Sequence, residues 1–305
     1  MVGAFIDFSL ENTVTHPSKA PNTSTTRHVA LLTGLAMVAF AANSVLCRVA
    51  LRYTEIDPAS FTLIRLLSGA IMLWLIMASK SRTERPTGTW LGGCTLFIYA
   101  FAFSYAYLNL DTGTGALLLF GAVQLSMLGF GYWHGERMQG PAVAGLALAI
   151  GGLIALLLPG ASAPAPGSAA IMLLSGIAWA AYSLIGKRAH DPLASTTGNF
   201  MRAVPMMLIA TVPFIPDTSI DMSGVLYAIA SGTLASGVGY AIWYAALRSL
   251  SSFRAATLQL SVPILASLAG VFILDEPLTS RLILTSLAVL GGIGMVLSAK
   301  QSARE

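Results

Sequence analysis

Of the 305 residues, 55% are hydrophobic and only 10% are charged, and the formal net charge is +4. A soluble chain of this size carries about 25% charged residues, so too few are present to cover a water-facing surface and a soluble globular class is excluded. The two cysteines exclude a disulfide framework. The few cations sit at the ends of apolar segments, a membrane pattern rather than a nucleic-acid surface, so no nucleic-acid partner is expected.

Taken in chain order, the first ten residues hold Asp7 and no basic leader, so a cleavable signal peptide is not expected. Residues 1–28, rich in Thr, Ser, Asn and Pro, are expected as a flexible cytoplasmic tail. Crossing the hydrocarbon core takes about 20 consecutive apolar residues. Ten segments meet that need: 29–50, 58–79, 88–109, 113–133, 141–159, 167–189, 195–215, 224–248, 255–274 and 279–299. Short connections carrying Pro, Gly, Asp or basic residues join them, and residues 300–305 form a second cytoplasmic tail. The predicted class is an all-α integral membrane protein with ten transmembrane helices. With the N-terminus in the cytoplasm, 12 of the 17 Lys and Arg residues fall on the cytoplasmic side. Arg48, Arg52 and Arg281 fall outside, and Arg65 and Arg202 lie within spans. That bias predicts a multi-pass inner-membrane protein with both termini cytoplasmic.

The chain repeats itself. Residues 40–48 (FAANSVLCR) recur as 179–187 (WAAYSLIGK), Arg65 matches Arg202, and Gly135-Glu136 matches Asp275-Glu276. Five spans per repeat is an odd number, so the second repeat (160–299) enters the membrane the opposite way up from the first (29–159). Two inverted five-helix repeats are a plan of secondary transporters, with the substrate site near mid-depth between the halves. The ten spans, the doubled repeat, and the Gly-Glu and Asp-Glu-Pro ends of the fourth and ninth spans resemble the drug/metabolite transporter superfamily, EamA type. Within it the sequence looks most like the YddG-like exporters of aromatic and other neutral amino acids. That resemblance implies export and a cavity lined by spans 1, 3, 4, 6, 8 and 9. One departure stands out: Pro263 in the ninth span has Val123 as its counterpart in the fourth, so the two are not expected to bend alike.

Polar side chains in hydrocarbon are costly and face a cavity or another helix. They concentrate in spans 1, 3, 4, 6, 8 and 9 and are nearly absent from the middles of 5 and 10. The expected substrate-binding set is Phe40, Asn43, Tyr99, Gln124, Trp179, Tyr182, Ser236, Tyr240, Trp243, Tyr244 and Gln259. Spans 5 and 10 are expected to pack outside the cavity or between the protomers of a homodimer. Structural alternatives apply throughout. Membrane Ser and Thr bond their own i−4 carbonyls, amides can tie helices together, and Tyr107, Trp90 and Trp133 read as an interfacial belt. Arg65 and Arg202 could bind a carboxylate, but about seven residues into their spans they are also within snorkelling reach. Glu136 and Glu276 read as helix-end or loop residues.

The absences weigh as much. No Asp or Glu lies mid-span, and all four histidines fall in the tail or the cytoplasmic connections, so flux is not expected to require proton coupling. A membrane-buried Asp pair or Ser–His pair is missing, as is a phosphate-binding Gly-rich loop, so neither enzyme chemistry nor direct ATP drive is expected, and no cofactor or metal. An aromatic, uncharged cavity suits a small molecule with an apolar part and some hydrogen-bonding groups, such as an amino acid. A multidrug exporter of hydrophobic compounds and a non-transporting membrane scaffold are the alternatives.

Overall fold

In a bilayer the short connections must stop one apolar helix and start the next. Here Asp and Pro do so. Asp57 accepts hydrogen bonds from the backbone N–H groups of Ala59 and Ser60, and Pro58 opens the helix that follows. Asp191 caps Leu193 and Ala194 in the same way, ahead of Pro192. These two Asp-Pro pairs precede the second span of each repeat, where an N-cap carboxylate meets the orphan N–H groups and Pro fits the first turn.

The structure, a computed structural model, describes residues 23–79, 85–135, 140–160, 162–186, 189–247, 249–250 and 252–302. Residues 1–22 of the expected 1–28 tail and Glu136 lie outside the described residues; residues 23–28 belong to the first helix, and residues 300–302 of the expected C-terminal tail belong to the last. The helices are α1 (Thr23–Tyr53), α2 (Pro58–Ser79), α3 (Trp90–Ala106), α4 (Thr112–Trp133), α5 (Pro141–Leu157), α6 (Pro166–Gly186), α7 (Pro192–Thr211), α8 (Met222–Ala230), α9 (Gly239–Leu247), α10 (Ser252–Gln259), α11 (Ser261–Leu274) and α12 (Ser280–Ser302). Helices α8 and α9 are joined by a π-helical segment, Ser231–Val238, into one eighth span. Helices α10 and α11 make up the ninth span, which breaks at Leu260. The ten spans form two inverted five-helix repeats. Eight are long and apolar enough to cross a membrane, and α3 and α5 are apolar helices of 17 residues each.

The halves interlock. α1 packs against the eighth and ninth spans, and its counterpart α6 packs against α3 and α4. Each first span therefore lies in the opposite half, and α2 against α7 repeats the exchange across the centre. Close approach is bought by glycine: a Cβ on Gly232 would meet the Ser68 hydroxyl and the Arg65 carbonyl, and one on Gly176 would meet Ala122 and the Leu119 carbonyl.

α5 and α12 pack along each other, to one side of the rest. Their glycine faces meet within one chain: Gly145 and Gly292 each lie against the other's carbonyl, and Gly152 lies against Ala288 and Val289. The small-residue faces of spans 5 and 10 are thus spent inside the protomer, and only their outward sides remain for a homodimer. The fourth and ninth spans do differ in shape. α4 runs unbroken through Val123, whereas Pro263 has no N–H to donate to the carbonyl of Gln259, where α10 ends.

Gly292→Val should force α5 and α12 apart and cost about 1–3 kcal/mol, as overpacking does. A lower thermal unfolding midpoint in micelles is the expected reading. Gly291→Val, where a Cβ meets nothing within 4 Å, should leave the midpoint unchanged.

Candidate functional site

A cavity of about 760 Å³ lies between the halves. All eleven residues of the expected set line it: Phe40, Asn43, Tyr99, Gln124, Trp179, Tyr182, Ser236, Tyr240, Trp243, Tyr244 and Gln259. They come from α1, α3, α4, α6, the π segment, α9 and α10. Most of the wall is aromatic. Trp179 is the hub, with ring centroids 4.6 Å from Tyr99, 5.3 Å from Tyr182 and 5.5 Å from Tyr240. Phe40 reaches Tyr240 and Trp243 at 5.7 and 6.0 Å. Tilted and offset pairs at these spacings are favourable beyond simple burial, so the wall is held rigid.

The polar groups divide into those already engaged and those facing the cavity. Asn43 accepts a hydrogen bond from the Ser231 hydroxyl at 2.7 Å and donates to the Tyr99 hydroxyl at 3.4 Å. Its amide therefore ties α1 to the π segment and to α3, the helix-to-helix role. Tyr182 donates to Thr196, whose hydroxyl shares a second bond with Tyr244 at 2.9 Å. Gln124 and Gln259 line the cavity from opposite repeats. Several lone hydroxyls bond their own i−4 carbonyls, among them Ser183 to Trp179 and Ser267 to Pro263.

The cavity runs toward the α6–α7 connection. Its lining continues through Gly186, Ala189, His190 and Leu193 at the α6–α7 connection. Ser44 also lines it, one turn before Arg48 on α1. This arginine, expected at a span end, is buried. It donates through Nε to Glu276 at 3.3 Å and through Nη1 to the carbonyls of Tyr107 and Leu108 at 2.8 and 2.9 Å. Nη2 lies 3.4 Å from the half-exposed Asp111 carboxylate. Glu276, 5% exposed, also accepts from the Thr112 N–H at 2.8 Å. Glu276 is thus a helix-end residue, as expected, but one that joins the two halves.

Two positional expectations are corrected. Tyr107 is not in an interfacial belt: it is fully buried beside Phe103 and donates to the Thr112 carbonyl. Trp90 and Trp133 are exposed at helix ends. Arg65 does not snorkel. It is 2% exposed, with its guanidinium carbon 5.0 Å from the Phe103 ring centroid and 5.6 Å from that of Tyr99. Arg202 does behave as an anchor, donating to the carbonyls of Thr87 and Gly198.

Sequence reasoning missed the apolar lining, Phe103, Leu119, Phe120, Val123, Met127 and Leu193. A search for polar side chains in hydrocarbon cannot find them. The helical spacing of Leu119, Phe120, Val123 and Met127 around Gln124 is the signal that could have. Among the described residues no group of His, Cys, Asp and Glu could hold a metal ion.

The profile of the EamA-like transporter family matches the chain twice, over residues 28–158 and 167–298. The chain belongs to this family. It is a multi-pass membrane transporter and not an enzyme. An uncharacterized protein of Pseudomonas aeruginosa is 52% identical to this EamA-like transporter over 282 residues, covering 92% of this chain and 98% of that one. A probable amino-acid metabolite efflux pump of Escherichia coli is 28% identical over 182 residues, 55% of this chain and 60% of that one. The threonine/homoserine exporter RhtA of Salmonella typhimurium is 30% identical over 132 residues, 40% and 42% of the two chains. A crystal structure at 19% identity covers 90% of this chain and 99% of its own with a TM-score of 0.65, which shows a shared fold.

Glu276→Ala would leave Arg48 buried without its most buried carboxylate and free the Thr112 N–H. Breaking one side of a buried pair costs about 3–5 kcal/mol. The expected outcome is a marked fall in the thermal unfolding midpoint, while Asp111→Asn, at the exposed side, should cost about 1 kcal/mol or less.

Proposed function

We propose that this EamA-like transporter exports small neutral metabolites, amino acids of the aromatic and neutral kinds foremost, by alternating access through the central cavity. The observation that carries the reading is a cavity walled by aromatics and three carboxamides, Asn43, Gln124 and Gln259, between inverted halves. A wall of this kind fits a small molecule with an apolar part and a few hydrogen-bonding groups. The interruptions beside it fit a moving pathway: π segments and broken helices recur at functional sites, and both the π segment and the α10–α11 break belong to cavity-lining spans. The partial matches to a probable amino-acid metabolite efflux pump and to a threonine/homoserine exporter point the same way.

Both termini are placed in the cytoplasm of an inner membrane. The support is the bias of Lys and Arg toward the termini and the even-numbered connections. The end of the cavity at the α6–α7 connection then faces the cytoplasm, and the Arg48–Glu276 pair lies toward the outer side. A C-terminal fluorescent protein fusion should be bright and an alkaline phosphatase fusion inactive; the reverse pattern sinks the assignment.

Purified protein in liposomes decides the function. Counterflow of labelled phenylalanine or threonine supports amino-acid export. Transport of hydrophobic cations without amino-acid exchange favours multidrug export, the reading that the aromatic wall alone would also allow. Flux should survive collapse of the pH gradient when the substrate gradient is kept, since the chain has no mid-span carboxylate or histidine. Trp179→Ala removes the hub of the wall and should lower flux at least about tenfold, on the order expected for a central aromatic anchor, with folded yield retained. Unchanged flux would remove Trp179 from the substrate path.

A further inference from the structure

Arg65 is a buried cation without an anion. It sits on α2 seven residues from Pro58, about 10 Å along the helix axis from its start. It is 2% exposed, and Nη1 has no hydrogen-bond partner. The ion pairs among the described residues are both made by Arg48, and no Asp or Glu occurs in the middle of a span. Its counterpart in the repeat, Arg202, resolves the same problem with two backbone carbonyls at a helix end. What Arg65 has instead is the rings of Phe103 and Tyr99 and a hydrogen bond to the Tyr99 hydroxyl. Cation–π contacts of this kind offset only part of the several kcal/mol that desolvating a charge costs.

Those same two rings line the cavity. The guanidinium therefore packs against two side chains that border the cavity, near the point where Asn43 meets the Tyr99 hydroxyl through a long 3.4 Å bond. A guanidinium offers a planar fork that matches a carboxylate with two parallel hydrogen bonds. Among the described residues that line the cavity there is no Lys or Arg.

We propose that Arg65 is the counter-charge for the carboxylate of the substrate, reached past the Tyr99–Phe103 wall. The inference rests on the amino-acid reading above. It gives that reading a specificity determinant: a carboxylate is required, and decarboxylated or amidated analogues are refused. Arg65 would then be a binding residue rather than a structural one, and its removal should not harm the fold. An unpaired buried charge replaced by an apolar side chain of similar length is neutral or stabilising.

The test measures binding of L-phenylalanine and L-phenylalaninamide to the full-length protein in nanodiscs by calorimetry, with counterflow of L-phenylalanine and L-threonine in parallel. The unmodified protein should bind the acid about tenfold more tightly than the amide, or better, as loss of one charge-assisted pair implies. Arg65→Met should unfold at the same or a higher temperature, lose about tenfold or more in affinity for the acid, and keep its affinity for the amide. Arg65→Gln, a polar replacement, should show the same loss of discrimination. An unmodified protein that exchanges phenylalanine but binds acid and amide equally overturns the role of Arg65 and leaves the amino-acid reading standing. So does a folded Arg65→Met or Arg65→Gln that keeps the acid-to-amide ratio. A fall in unfolding temperature in both variants, with the ratio near one in the unmodified protein, identifies Arg65 as structural. Neither binding nor exchange of either amino acid overturns both readings together.

Discussion

One buried ion pair ties the two halves of this protein together. Arg48 and Glu276 are 228 positions apart in sequence and come from opposite repeats, and burial leaves neither of them water to turn to. Their mutual attraction repays desolvation only because the remaining valences are also filled. Arg48 takes the carbonyls of Tyr107 and Leu108, and Glu276 takes the N–H of Thr112. The groups involved come from α1, from the α3–α4 corner and from the α11–α12 corner. The pair ties α1 to the opposite half.

The cavity is pseudo-symmetric in plan and asymmetric in chemistry. Equivalent spans from the two repeats surround it, yet the first repeat contributes Asn43, whose amide is spent on tying helices, and the second contributes Trp179, around which the aromatic wall is built. The backbone differs too. α4 is straight through Val123, while the ninth span breaks just before Pro263, and the eighth span relaxes into a π segment where Gly232 and Gly237 lie against α2. These irregularities fall on the eighth and ninth spans of the second repeat, whereas α3 and α4 are unbroken helices.

Reading the chain for polar groups stranded in apolar runs located the cavity lining well, because hydrocarbon leaves such groups only two options, a cavity or a neighbouring helix. It could not separate the two options. Asn43 takes both, facing the cavity while bonded to Ser231 and Tyr99. The same reading treated Arg48 and Tyr107 by their place near a span end, and both turned out to be buried, since corners between spans in this fold are packed against the opposite repeat. Arg65 was assigned a snorkelling reach from depth alone. Depth along a helix says how far water is along the axis, but not whether a neighbouring helix stands in the way.

What the sequence determined by itself is local and periodic: ten apolar spans, their punctuation by Asp, Pro and Gly, and an odd-numbered repeat that inverts the second half. These follow from hydropathy and spacing, which need no partner to be read. The tertiary structure decided which buried polar group meets which. Arg48 found Glu276, Asn43 found Ser231, α5 set Gly145 and Gly152 against α12, and Arg65 was left beside two aromatic rings. Partnership in a membrane depends on where distant segments come to lie and how closely they approach, and no property of a single span contains that distance.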